Sequence, residues 1–249
     1  MPDVGAHASV SVDGDRPLVV AVDGPSGSGK SSVCRQVAAR LGLAYLDTGA
    51  MYRAATWWCL QGGVDLADTE AVTAHVHTLV LEMGLDPRLP TFSVAGTDIG
   101  TAIRQSEISS VVSAVATNLD VRADLGRRQR AVVDVELGPD GWSRGRGVVI
   151  EGRDITTVIA PDAPVRILLT ASEEARLARR SRELHGDAAA HNVAATRDQV
   201  LRRDRDDSTV VEFQTAADGV VTVDSSDLDL EQTIEAVLTV VARLTGRTP

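Results

Sequence analysis

The segment Gly24-Pro25-Ser26-Gly27-Ser28-Gly29-Lys30-Ser31 constrains this chain more than any other. It fits the pattern Gly-x-x-x-x-Gly-Lys-Ser/Thr and follows Leu18-Val19-Val20-Ala21-Val22, an apolar run that ends at Asp23. A run apolar on both faces reads as a central parallel strand. After the loop, Val33, Val37, Ala38 and Leu41 recur at helical spacing until Gly42, a residue that ends helices. Strand, glycine-rich loop and helix thus come in the order a phosphate-binding loop requires. Glycines let the backbone N–H groups curl toward a β-phosphate, at the helix end whose dipole favours anions. Lys30 is the only lysine among 249 residues; every other basic residue is arginine. An ammonium is a compact charge on a slim stem that reaches β- and γ-phosphates, whereas a guanidinium is a broad planar fork. Gly24, Pro25, Ser26, Gly27, Ser28, Gly29, Lys30, Ser31 and Ser32 are therefore the expected triphosphate-binding residues. Ser31 is expected to place its hydroxyl on Mg²⁺, and Ser32 lies near the α-phosphate.

Composition narrows the remaining classes. A net charge of −10 argues against a non-specific nucleic-acid binder, which needs a basic face. Two cysteines, Cys34 and Cys59, are too few for a disulfide framework or a zinc site. No run of eighteen apolar residues occurs, so no membrane span is expected. Residues 1–16 carry Asp3, Asp13 and Asp15 without an apolar stretch, and read as a flexible extension, not a signal peptide. A cytoplasmic monomer is the expected state.

Beyond the first helix, Ala44-Tyr45-Leu46 reads as a second strand and Ala50 to Leu60 as a helix. Residues 62–137 have a different character. Glu70 to Leu81 reads as a helix running into a strand, Thr91 to Val94 as a strand before a hairpin turn at Ala95 to Asp98, and Ser109 to Thr117 and Val121 to Leu137 as helices. This is an α+β insertion, too long to be a loop. Strand–helix alternation resumes with strands at Gly147 to Ile150 and Val165 to Leu169, then a helix from Glu173 to Leu184 capped by Ser172. His185 to Ala195 is polar and small-residued, as suits a mobile lid, and Thr196 to Arg205 is helical. Val220 to Val223 and Leu230 to Leu244 read as a last strand and a closing amphipathic helix. The chain is an α/β protein: a core of residues 17–61 and 138–249, an insertion of 62–137, and a lid segment at 185–212.

Two further constellations stand directly after strands, where ligands lie in α/β sheets. In Asp47-Thr48-Gly49-Ala50-Met51-Tyr52-Arg53, the arginine falls one helical turn beyond Gly49, placed to grip a second phosphate. In Glu151-Gly152-Arg153-Asp154, Arg153 suits a phosphate and Asp154 a base amino group or a sugar hydroxyl. A third group is an arginine crowd: Arg176, Arg179, Arg180 and Arg182, then Arg202, Arg203 and Arg205 before Asp206-Asp207. Most of such a run is solvated, but one or two cations closing over a transferring phosphoryl group accelerate transfer strongly.

Together with Ile103-Arg104, Val111 to Ala116, Val121-Arg122, Gln129-Arg130, Pro161-Asp162-Ala163 and Arg203-Asp204 with Asp207-Ser208, these motifs resemble the bacterial cytidylate kinase family over residues 18 to 245. The resemblance implies ATP and CMP or dCMP as substrates, Mg²⁺ as cofactor, and the nucleoside-monophosphate-kinase fold. That fold is a parallel sheet flanked by helices, with an α+β NMP-binding insertion and a lid. By position, it implies substrate contacts from Thr48, Tyr52, Arg53, Ser113, Arg122, Arg153 and Asp154. Arg53 and Arg153 would hold the acceptor phosphate; Ser113, Arg122 and Asp154 would read the cytosine edge and sugar. Lys30, Arg153, Arg203 and Asp207 are the implied catalytic group, with Arg203 bridging the two substrates' phosphates. The sequence departs from the family pattern in places. Val210 stands where a lid arginine is usual, Glu212-Phe213-Gln214 replaces a Ser-Pro-Leu-like stretch, Thr156 replaces a glycine, and Thr48 replaces a serine. Arg202 and Arg205 are the candidates to compensate for Val210.

Two alternatives remain open from the residues. One is a P-loop kinase for another small acceptor, such as UMP, another NMP or shikimate. The other is a nucleotide-dependent switch of the GTPase kind, although a chain with one lysine has no Asn-Lys-x-Asp guanine signature.

Overall fold

A computed structural model describes residues 16–187 and 189–247. The expected flexible extension lies outside them apart from Arg16. The main sheet has five parallel strands in the order β2-β6-β1-β7-β8. Its strands are β1 (Leu18–Asp23), β2 (Ala44–Asp47), β6 (Gly147–Gly152), β7 (Val165–Thr170) and β8 (Val221–Asp224). β1 is buried along its whole length, as its unbroken apolar run predicts. Alternate residues feed two cores. Val20 and Val22 face Val33 and Val37 of α1 (Lys30–Leu41) and Ile234, Val237 and Val241 of α8 (Leu230–Thr245). Val19 and Ala21 face the opposite side, with Met51, Ala54 and Ala55 of α2 (Thr48–Gln61).

That second core continues without a break into residues 69–136. Val72 and Val76 of α3 (Thr69–His77), Val115 of α4 (Ser106–Ala116) and Val121, Leu125 and Val133 of α5 (Leu119–Glu136) belong to the same cluster. A small antiparallel sheet of β3 (Leu81–Gly84), β4 (Thr91–Val94) and β5 (Thr97–Asp98) completes this part. The β4–β5 turn is the pair Ala95 and Gly96, both at positive φ (48° and 78°), the conformation that matches strand twist in two-residue hairpins. The segment after β3 is pinned to the main sheet: Tyr45 N–H donates to the Leu85 carbonyl at 2.9 Å, and Arg35 of α1 donates to the Pro87 carbonyl at 3.0 Å.

After β7, α6 (Glu173–His185) and α7 (Ala190–Asp207) form a hairpin above the C-terminal end of the sheet. Ser172 caps α6 by accepting from Ala175 N–H. α7 begins at Ala190, inside the stretch read from sequence as irregular, so the hairpin is tighter than a long loop would make it. It also packs against α4, bridging the insertion and the core. Among the described residues no helix is long and apolar enough to cross a membrane.

Candidate active site

At the end of β1 the backbone swings away through Gly24 (φ 153°), where a Cβ would lie 2.1 Å from the Leu169 carbonyl oxygen. Gly27 (φ 77°) is as tightly held, 2.6 Å from the Arg176 carbonyl by the same measure. No side chain fits at either position, so the loop can bring its N–H groups to a ligand. α1 starts after Gly29 with no side-chain cap, which leaves its first N–H groups available to an anion. Lys30 folds back over the loop, Nζ donating to the Gly24 carbonyl at 2.6 Å and to that of Pro25 at 2.9 Å. Burial, then the neighbouring Arg153 charge, lowers its pKa to about 8. Beneath it lies Glu151, 3% exposed, which accepts from the Tyr45 hydroxyl at 2.5 Å and from the Ser31 side chain. Burial and the nearby Asp47 push the Glu151 carboxyl upward.

The β2 end supplies the opposite wall. Asp47 caps α2 by accepting from Ala50 N–H at 2.8 Å and pairs through its other oxygen with Arg53 Nη2 at 3.0 Å. Arg53 Nε is buried without a hydrogen-bond partner. Arg53, Lys30, Ser31, Ser32, Glu151 and Arg153 line one cleft of about 660 Å³.

The α6–α7 hairpin closes over this cleft through a carboxylate hub. Asp204, 5% exposed, accepts from Ser26 N–H at 3.0 Å and Arg176 at 2.5 Å and forms an ion pair with Arg153 Nη2 at 2.9 Å. Asp207 forms an ion pair with Arg153 Nε at 2.6 Å and lies 3.9 Å from Arg203 Nε. Burial, then Arg153 and Arg53, lowers the Arg203 pKa to about 10, and its Nε has no hydrogen-bond partner. Arg179 ties α6 to the loop, donating to the Ser28 carbonyl at 3.2 Å and the Ser225 carbonyl at 2.5 Å. Arg180 and Arg182 of α6 also line the cleft.

Of the residues expected from sequence, Ser26 to Ser32, Arg53, Arg153 and Arg203 share the cleft. Gly24 and Pro25 serve it through their carbonyls, and Asp207 through Arg153. A second, adjoining group sits behind Arg153: Arg122 donates to Asp154 and to the Ala116 carbonyl, with its guanidinium over the Tyr52 ring. Thr48 is buried and donates its hydroxyl to the Glu151 carbonyl at 2.7 Å. Ser113 is half-buried on α4 and does not line the cleft. Arg202 and Arg205, the candidates to compensate for Val210, are exposed and do not line it either, whereas Arg179, Arg180 and Arg182 of α6 do. The Thr156 departure has a local role: its N–H and hydroxyl donate to the Asp23 carboxylate at 2.8 and 2.7 Å.

Sequence named Glu151, Asp204, Arg176, Arg179 and Arg104 only within motifs or the arginine crowd; the anchoring of Glu151, Asp204, Arg176 and Arg179, and the place of Arg104 and Ser109 in the cleft wall, come from the structure. Glu151 stands at the buried end of a strand beside the loop, a signal that was available. Asp204 and Arg176 find their partners across long sequence separations, which no local pattern reveals.

The sequence model of the cytidylate kinase family matches residues 20–243. A cytidylate kinase of Streptomyces avermitilis is 47% identical over 90% of this chain and 92% of its own length. One from Cutibacterium acnes is 46% identical over 90% of this chain and 96% of its own. A solved sugar kinase structure from Janibacter sp. HTCC2649 aligns at 19% identity and TM-score 0.42 over 94% of this chain and 99% of that one.

Proposed function

The chain belongs to the cytidylate kinase family, and from that premise we propose that it transfers the γ-phosphoryl group of ATP to CMP and dCMP, releasing ADP. One observation carries the reading: Lys30 on the P-loop faces Arg53 and Arg153, from two other strand ends, across a single cleft. That arrangement suits two phosphates brought together in line. The loop N–H groups and Lys30 hold the donor's β- and γ-phosphates. Lys30 leaves the Gly24 and Pro25 carbonyls to do so, and the phosphates favour its charged form. Arg53 and Arg153 take the acceptor phosphate, for which Arg153 exchanges its Asp204 and Asp207 partners. Arg203, beside both, bridges donor and acceptor.

The acceptor phosphate is already an anion, so the reaction needs no general base and no covalent intermediate. Positioning and charge neutralisation supply the rate. The Ser31 hydroxyl with the Glu151 and Asp47 carboxylates beside it is a hard-oxygen donor set that fits Mg²⁺. A magnesium ion bound with ATP would neutralise charge on the phosphate oxygens. Tyr52, Arg122 and Asp154, with Ser113 and Thr48, form the proposed cytosine and sugar pocket in this reading. Residues 62–137 are its acceptor-binding insertion and residues 185–212 its lid. In this reading the working unit is a monomer.

A coupled assay of ADP release tests this across CMP, dCMP, UMP, AMP and shikimate. Turnover is expected with CMP and dCMP far above the rest. A preference for shikimate or a purine acceptor, or GTP hydrolysis with no acceptor, would overturn it.

A further inference from the structure

We propose that Phe213 is a positioning residue for Arg153, holding the plane of its guanidinium while the partners at its edge exchange. The inference rests on the reading of Arg153 as a ligand of the acceptor phosphate. Phe213 belongs to Glu212-Phe213-Gln214, the segment that departs from the family pattern, and it is built in from both sides. The Glu212 carboxylate accepts from Gln214 N–H at 3.0 Å and Thr215 N–H at 3.2 Å, and Gln214 Nε2 donates to Ser208 Oγ at the end of α7 at 3.0 Å. This fold of the chain drives the Phe213 ring inward, where it is 1% exposed.

The ring lies 4.3 Å from the Arg153 guanidinium carbon. Around the edge of that guanidinium, Nε meets Asp207, Nη2 meets Asp204 and Nη1 meets the Gly24 carbonyl at 3.3 Å. Each of the three guanidinium nitrogens therefore has an oxygen beside it, and one face has an aromatic ring. The two kinds of contact behave differently when a phosphate arrives. Edge partners compete with the phosphate for the same N–H groups and must yield. A cation–π contact uses none of those donors and can persist through the exchange. Phe213 thus fixes the orientation from which a bidentate grip on phosphate is made, a grip whose strength depends on planarity and direction. An aliphatic side chain of similar bulk would fill the space without supplying a π face.

The test is a double-mutant cycle with CMP and ATP kinetics measured separately. Phe213→Leu should lower kcat/KM for CMP roughly 3- to 20-fold, the span of a cation–π contact in a desolvated site. KM for ATP should stay unchanged, and Phe213→Tyr should restore most of the loss. Combined with Arg153→Ala, Phe213→Leu should cost almost nothing more. An equal loss from Phe213→Leu with and without Arg153 would overturn the inference, as would a parallel loss in ATP use. Thermal melting of each variant separates packing from positioning, since a leucine that only loosened the fold would lower the melting temperature in both backgrounds alike. The wild-type control keeps the two readings apart. Absence of CMP turnover there refutes the functional assignment, whereas turnover with an additive cycle refutes only the role of Phe213.

Discussion

The phosphate loop and the α6–α7 hairpin both bring cations to one cleft, and they hold them by opposite means. In the loop, Lys30 is satisfied by carbonyls five and six residues before it, and the curl is set by glycines that no other residue could replace. At the hairpin, Arg153 from the end of β6 and Arg176 of α6 are held by carboxylates on α7, so their placement exists only once β6, α6 and α7 have met. A cradle made of local backbone is preorganised before any ligand arrives. A cradle made of side-chain ion pairs is ordered but exchangeable, which a group that must let go of one anion to take another requires. The difference separates the donor end of the cleft from the end that closes.

The largest expected effect breaks the donor side alone. Lys30→Met should lower kcat on the order of 10³-fold, since it removes a charge from a water-poor phosphoryl-transfer site, while CMP affinity by calorimetry stays near wild type. Wild-type-like turnover would mean that the loop backbone suffices. Asp204→Asn strikes the other side. It strips the partly buried Arg153 and Arg176 of a shared charge, which should cost about 3 kcal/mol and lower the melting temperature roughly 6–12 °C. A melting curve superimposed on wild type would show the hub to be ornamental. Arg53→Ala should reduce kcat/KM for CMP by roughly 10², the worth of a charge-assisted grip on phosphate, with KM for ATP unmoved.

The smallest effect is a pH dependence confined to the donor side. The Lys30 pKa in the free protein is lowered to about 8, and phosphates raise it again, so binding ATP above that pH takes up a proton. ATP affinity should fall as pH rises through 8, by up to about tenfold per unit, with proton uptake visible as a buffer-dependent binding enthalpy. The same lowered pKa makes burial of charged Lys30 unfavourable to folding. That cost is fully present below pH 8 and relieved as pH rises toward 10.5, so ligand-free stability should gain in that window, and Lys30→Met should remove the gain. Affinity flat from pH 7 to 9.5 would leave Lys30 fully charged in the free protein.

The same contrast explains what was legible in the chain. Leu18 to Gly42 could be read almost residue by residue, because strand, turn and helix there follow from alternation, glycine and 3.6-residue spacing within one stretch. The β2 and β6 ends were legible for the same reason, including Arg53 and Arg153 as phosphate candidates. The turn at Ala95-Gly96 was visible, but the two-residue β5 beyond it is too short to carry a pattern. Sequence placed the irregular stretch before α7 too far along, since Ala190 to Ala195 lacks the apolar spacing that marks a helix and is held by its neighbours. The hub role of Asp204 was not legible because its partners, Ser26, Arg153 and Arg176, lie 178, 51 and 28 positions away, and only the folded sheet brings them together. Departures from the family pattern carried less loss than they first implied: Thr156 gained a bond to Asp23, and Phe213 gained a face against Arg153.

A chain with a single lysine also has a single side-chain amine. With its pKa near 8 in the free protein, a fraction of Lys30 is an uncharged nucleophile at neutral pH, and no other lysine competes for an acylating reagent. Side-chain labelling of this sequence by an amine-directed acyl donor is therefore a one-position chemistry. The extent of acylation becomes a direct occupancy gauge for the donor site, readable from intact mass without any assay of turnover.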